Sequence, residues 1–171
     1  GLPNRFLFLD RLAQAVSEGT RSGEKRAVVF IDLDRFKNTN DLLGHNFGDK
    51  VLREVARRLR NVTRQSDTLA RMGGDEFMLI SAPLEEYAQI DTVCSRIMDI
   101  MTVPFEEDNY RINLSVSIGV SFFPIDGEDP ATLHQHADVA MHHAKKCGGN
   151  IIKFYDSSIM DQFLERLELE N

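Results

Sequence analysis

Arg71-Met72-Gly73-Gly74-Asp75-Glu76-Phe77-Met78-Leu79-Ile80 is the stretch on which the reading of this chain turns. Thr68-Leu69-Ala70 ahead of it and Phe77 to Ile80 behind it read as short strands. The glycine pair between them supplies the positive φ values that a tight hairpin demands. Two acids, Asp75 and Glu76, are thereby set at a hairpin tip, where the missing glycine Cβ also lets the backbone approach a bulky anion. Taken alone, such a tip is better explained as an ordinary turn with solvated carboxylates.

The other half of the pattern lies upstream, in Val28-Val29-Phe30-Ile31-Asp32-Leu33-Asp34-Arg35-Phe36-Lys37. A continuous apolar run ending in acids suits a strand buried on both faces whose polar end projects carboxylates at the edge of a sheet. Asp32 at a strand end beside Asp75 at a hairpin tip makes an all-oxygen site of the kind Mg²⁺ occupies when substrate phosphates complete its shell. That is an arrangement for nucleotidyl transfer.

Gly73-Gly74-Asp75-Glu76-Phe77, with Asp32-Leu33-Asp34-Arg35-Phe36-Lys37 ahead of it, resembles the GGDEF family of diguanylate cyclases. Leu43-Gly44-His45, Gly48-Asp49, Ser117-Ile118-Gly119 and Ala137-Asp138-Val139-Ala140-Met141 match further family motifs in the same order. The resemblance runs from Gly1-Leu2-Pro3-Asn4-Arg5 to about Asp156. It implies a domain over residues 1–156 with an α+β fold: a central, mainly antiparallel sheet flanked by helices, palm-like and similar to the class III nucleotide cyclases.

Composition agrees with one globular domain. The chain has 171 residues, 42% hydrophobic and 27% charged, which excludes a disordered segment. A net charge of -7 argues against a broad nucleic-acid or acidic-membrane surface, since either needs a basic patch. Cys94 and Cys147 both fall in expected helices, which favours free thiols over a disulfide. No apolar run approaches the length of a membrane span, and a cytoplasmic setting is expected.

The periodicities give the expected elements. Phe6, Leu9, Ala13 and Val16 form the apolar stripe of a first helix after Pro3-Asn4. A short helix covers Phe36 to Leu43, and a longer one buries Val51, Leu52, Val55, Leu59 and Val62 with Arg53, Arg57, Arg58 and Arg60 on its wet side. After a further amphipathic helix, Val103-Pro104-Phe105 pairs with one long strand from Tyr110 to Val120. There Ile112, Leu114, Val116, Ile118 and Val120 alternate with polar or small residues, as in a strand with one buried face. A last helix buries Leu133, Ala137, Ala140, Met141 and Ala144, and Ile151 to Phe154 forms an edge strand. The four histidines from His134 to His143 make no tetrahedral pattern and read as surface residues.

What the resemblance implies for function is specific. Two GTP molecules condense to cyclic di-GMP, each 3′-hydroxyl attacking the other's α-phosphate with loss of pyrophosphate, on a homodimer. Asp32, Asp75 and the carbonyl of Leu33 would hold two Mg²⁺ (or Mn²⁺) per half-site, and Asp75 and Glu76 are the catalytic acids. Gly73 and Gly74, backbone amides near Phe36 and Lys37, and the Lys145 side chain would receive the triphosphate. Asn40 and Asp49 would read guanine, a carboxylate accepting from N1-H and N2-H₂ where adenine offers neither. Asp49 also suits a first-turn helix acid. Arg64 and Asp67, assisted by Arg96, would form an inhibitory cyclic di-GMP site, the alternative being a helix-end arginine paired with a nearby aspartate.

Two positions depart from the family pattern. Gly149 stands where an arginine is usual, which removes one phosphate contact unless Lys146 replaces it, and His142 stands where tyrosine is usual. The tail, residues 157–171, is similar to the linker helix leading into an EAL phosphodiesterase domain. With Gly1-Leu2-Pro3 opening inside a motif, the sequence reads as a piece of a longer protein that carries sensory and EAL domains. The alternative function is a weakly catalytic module that binds GTP or cyclic di-GMP and controls such a phosphodiesterase.

Overall fold

The structure is a computed structural model that describes residues 2–156; the expected linker helix over 157–171 lies outside the described residues. Helix α1 (Arg5–Ser22) starts where the Asn4 side chain accepts the Leu7 N–H at 3.0 Å and stops at Gly23. Strand β1 (Arg26–Leu33) is followed by α2 (Phe36–Leu43), α3 (His45–Val62), β2 (Thr68–Gly73), β3 (Glu76–Ile80) and α4 (Gln89–Met101). Then come the small hairpin β4 (Phe105–Glu107) and β5 (Tyr110–Ile112), β6 (Val116–Phe123), α5 (Pro130–Lys146) and β7 (Ile152–Phe154).

The sheet runs β2-β3-β1-β6-β7, antiparallel throughout except for the parallel β6-β7 pair. β1 is central, and its unbroken apolar run has two cores to serve. Ala27, Val29, Ile31 and Leu33 enter the core under α3 and α4, while Val28 and Phe30 enter the core under α1 and α5. Fully burying each such side chain contributes about 1.5–3 kcal/mol before entropy is counted.

Four expectations are corrected. The long strand from Tyr110 to Val120 is two strands: β5 pairs with β4 in a separate ribbon, while β6 begins at Val116 and pairs with β1. β6 is also buried on both faces. Its small residues face α5, where Ser121 Oγ donates to the Leu133 carbonyl at 2.7 Å. A Cβ on Gly119 would stand 2.2 Å from the Ala137 carbonyl and 2.2 Å from the Met141 nitrogen, so glycine is what allows strand and helix to touch backbone to backbone. Alternating polarity here marks a close approach rather than a solvated face.

The α1 stripe is shifted. Phe8, Leu12, Ala15, Val16 and Gly19 are buried, whereas Phe6 is 83% exposed. Four apolar residues in a row, Phe6 to Leu9, admit two helical phases, and contact of Gly19 with Phe123 selects the second. Arg58, expected on the wet side of α3, is buried. Its guanidinium donates to the carbonyls of Ile100, Val103 and Pro104 at 3.2, 2.6 and 3.1 Å and lies over the Phe105 ring. It thereby satisfies carbonyls left open where α4 ends.

Candidate active site

The carboxylates converge at one end of the sheet. Asp32, the penultimate residue of β1, lies opposite Glu76 at the start of β3. A register shift between Arg71 and Gly73 leaves Gly74-Asp75 as a two-residue tip. The tip is pinned from both sides: Leu33 N–H donates to the Asp75 carbonyl at 3.3 Å, and Arg71 Nε donates to the Gly74 carbonyl at 3.0 Å. Asp32 is 8% exposed, and its Oδ1 is buried with no hydrogen-bond partner among the described residues. Burial first, and then the charge of Asp75, push the Asp32 carboxyl up to about 7 against the opposing pull of Lys145. Glu76 is also raised, by burial and then by Asp138 and Asp75.

Lys145 enters from the last turn of α5. Its Nζ lies 3.4 Å from Asp32 Oδ2, 3.4 Å from the Leu33 carbonyl oxygen and 3.8 Å from Asp34 Oδ1. The Leu33 carbonyl is therefore turned into the same space as the Asp32 carboxylate. Among the described residues no group of three or more His, Cys, Asp or Glu side chains could by itself cage a metal. Two carboxylates, one of them with an orphaned buried oxygen, and a carbonyl fit instead the partial shell that Mg²⁺ accepts from protein when phosphates supply the remainder. Of the four histidines expected on the surface, His134, His136 and His143 are half-buried and only His142 is exposed, His136 being stacked on Tyr155 at 3.8 Å.

The expected base-reading residues are neighbours. Asn40, in the last turn of α2, has a buried Oδ1 with no hydrogen-bond partner. That oxygen occupies the space a Cβ on Gly48 would need, 1.8 Å away, so Gly48 is what seats Asn40 against α3. Asp49 is exposed and follows in the second turn of α3; the first-turn role does not hold, because the helix starts at His45. Phe36 opens α2 after Arg35, which adopts a left-handed conformation and gives no side-chain cap; Asn38 N–H donates to the Arg35 carbonyl at 3.0 Å, which leaves the N–H groups of Phe36 and Lys37 to meet an anion. Phe36 itself is buried and Lys37 exposed.

Arg64, Asp67 and Arg96 line one depression of about 390 Å³ at the opposite end of the β2-β3 hairpin. Asp67 does not pair with the Arg64 guanidinium. Its carboxylate accepts the N–H of Arg64 at 2.9 Å and that of Ala82 at 2.7 Å, tying the start of β2 to the end of β3. The helix-end ion pair is thus set aside.

Sequence reasoning missed Asp34. Its carboxylate accepts Ser115 Oγ at 2.6 Å, Ser117 Oγ at 2.6 Å and Asn150 N–H at 2.8 Å, which locks the loop after α5 onto the sheet. Gly149, with φ of 75°, brings its backbone against this carboxylate, where a Cβ would lie 2.9 Å from Cγ. Lys146 is exposed. A second missed pair is Asp138 and His142, joined at 3.0 Å, which raises the imidazole to about 9 chiefly through that hydrogen bond. Their spacing of four on α5 was the available signal.

Comparison with known proteins agrees with this geometry. Residues 1–151 match the family described as diguanylate cyclase, GGDEF domain. The chain is 41% identical over 168 residues to the bifunctional diguanylate cyclase/cyclic di-GMP phosphodiesterase MucR of Pseudomonas aeruginosa, covering 98% of this chain but only 24% of MucR. The solved GGDEF domain of TpbB from the same organism superposes with a TM-score of 0.89 at 39% identity, over 91% of this chain and 98% of that one. The GGDEF domain of DgcB from Caulobacter crescentus, solved in complex with c-di-GMP, gives a TM-score of 0.85 at 30% identity, over 91% and 90%.

Proposed function

The chain belongs to the GGDEF family of diguanylate cyclase domains, and we propose that it condenses two GTP into cyclic di-GMP as a dimer of facing half-sites. The observation that carries this reading is the buried, unpartnered Asp32 Oδ1 beside Asp75 and the inward-turned Leu33 carbonyl. A divalent ion bound there, Mg²⁺ or Mn²⁺, would neutralise phosphate charge and favour the deprotonated 3′-oxygen.

The chain's own residues do the rest. The two-residue tip holds Asp75 at the strand end without a flexible stem, and Glu76 faces the same space from the opposite strand, placed to orient or deprotonate the 3′-hydroxyl. The N–H groups of Phe36 and Lys37 at the start of α2 and the ammonium of Lys145 meet the triphosphate. Asn40 Oδ1 and the Asp49 carboxylate accept the guanine N1-H and N2-H₂ donors, so ATP leaves them unpaired and is rejected by about 10⁴-fold. Arg64 and Arg96 receive the product in the second depression, since a guanidinium grips guanine O6 and N7 as a fork and stacks on the base.

Gly149 favours a second reading, in which the domain binds GTP but turns over little and tunes a phosphodiesterase on the same polypeptide, as the MucR name pairs the two activities. Incubating the domain with GTP and Mg²⁺ separates them. Cyclic di-GMP formed by the native chain and absent with Asp75→Ala supports the cyclase; tight GTP binding without product supports the regulatory module.

A further inference from the structure

The Lys145 ammonium touches the same carboxylate and the same carbonyl that are assigned above to a divalent ion. It stands 3.4 Å from both Asp32 Oδ2 and the Leu33 carbonyl oxygen. Magnesium binds oxygen at about 2.0–2.1 Å, so an ion on this oxygen pair enters the space in front of them that the ammonium faces. Two cations cannot hold the same oxygens side by side without strong repulsion. The third partner, Asp34, gives the ammonium no firm hold. Its carboxylate is already taken up by Ser115, Ser117 and the Asn150 N–H, and Nζ lies 3.8 Å from it.

We propose that Lys145 is a stand-in cation: it holds the place of the divalent ion beside Asp32 and the Leu33 carbonyl and gives it up when the ion arrives with a triphosphate. The four-carbon stem of lysine permits this, because a compact ammonium on a flexible chain can swing while its helix stays put. The acidic strand end needs such a group. Without it, Asp32 and Asp75 lose the cation that touches the Asp32 carboxylate, and the charges of His142 and Arg5, which act on Glu76, are left as the remaining offset. The exchange makes ion and nucleotide load together, since the ion alone must evict Lys145 while a triphosphate gives the ammonium somewhere to go. The inference rests on the reading of Asp32 and Leu33 as metal ligands, and its test is separable from turnover.

Mn²⁺ binding without nucleotide is measured from the free-ion paramagnetic resonance signal for the native domain, Lys145→Met and Lys145→Gln. Both variants bind Mn²⁺ about tenfold more tightly than the native domain, the scale of removing one neighbouring charge from a half-buried site. The gain disappears when Asp32→Asn is added, which places it at this site. Binding of a non-hydrolysable GTP analogue moves the opposite way and weakens. Unchanged or weaker Mn²⁺ binding in both variants overturns the proposal, as does a gain that survives Asp32→Asn. In the native domain, saturating Mn²⁺ alone speeds modification of Lys145 by an amine-reactive ester, read by mass spectrometry; an unchanged or slower rate overturns it even if the variants misfold. A domain that makes no cyclic di-GMP but shows the Mn²⁺ gain loses the cyclase reading and keeps the stand-in, and the converse result does the reverse.

Discussion

Asp32 and Asp34 stand two residues apart in one motif and meet opposite fates. Asp32 keeps a buried oxygen that no described residue satisfies, whereas Asp34 accepts three hydrogen bonds from two serines and a backbone N–H. A buried acceptor without a donor costs about 1–3 kcal/mol, so the first aspartate is held at the expense of stability and the second returns it. What separates them is the company the fold brings. Asp32 faces another acidic strand end across β3, while Asp34 faces the hydroxyl-bearing start of β6 and the loop after α5.

The contrast breaks most visibly with Asp75→Ala. Cyclic di-GMP synthesis is expected to fall at least about 10³-fold, the scale lost when charge stabilisation at the reacting phosphate goes. The melting temperature holds or rises, because one member of a repelling cluster is gone; calorimetry beside a product assay checks both. Asp34→Ala is the mirror image. It strips the acceptor from Ser117, a fully buried residue, and should cost about 2–4 kcal/mol in urea denaturation.

At the other end of the hairpin, Arg96→Ala is expected to raise the cyclic di-GMP concentration needed for half-inhibition about tenfold, the loss of one charged contact. Asp67 should not behave likewise: as the tie between Arg64 and Ala82 its loss lowers stability as well. The smallest effect belongs to His142. Its folded value, about 9, lies above the ordinary 6.5, so its pairing with Asp138 stabilises fully below pH 6.5 and is lost as pH rises through 9. His142→Gln should therefore lower the melting temperature by about one or two degrees at pH 6 and leave it unchanged at pH 10, the pair being half exposed.

Much of the site's location was legible, because an apolar run ending in acids and a glycine pair before acids both report local geometry. Asp34 was not. Its partners lie 81, 83 and 116 residues along the chain, and nothing in Asp-Leu-Asp says which acid will find hydroxyls. Arg58 failed for a related reason. Helical periodicity assigned it to solvent, while open carbonyls 42, 45 and 46 residues onward drew it inside. The β6 misreading came from treating serine and glycine as signs of water, when small side chains serve equally to admit a helix. Orphaned Asn40 Oδ1 likewise depends on Gly48, whose bare Cα no periodicity interprets.

The contact at Gly119 has a mechanical side. With the helix backbone seated against a bare Cα, α5 can neither roll about its axis nor slide along β6 without driving a neighbouring Cβ or carbonyl into the strand. The helix is a fixed mast. Whatever moves at the acidic end of the sheet is then confined to the boom, the side chain of Lys145, whose reach is set by its own four methylenes and whose pivot never leaves its post.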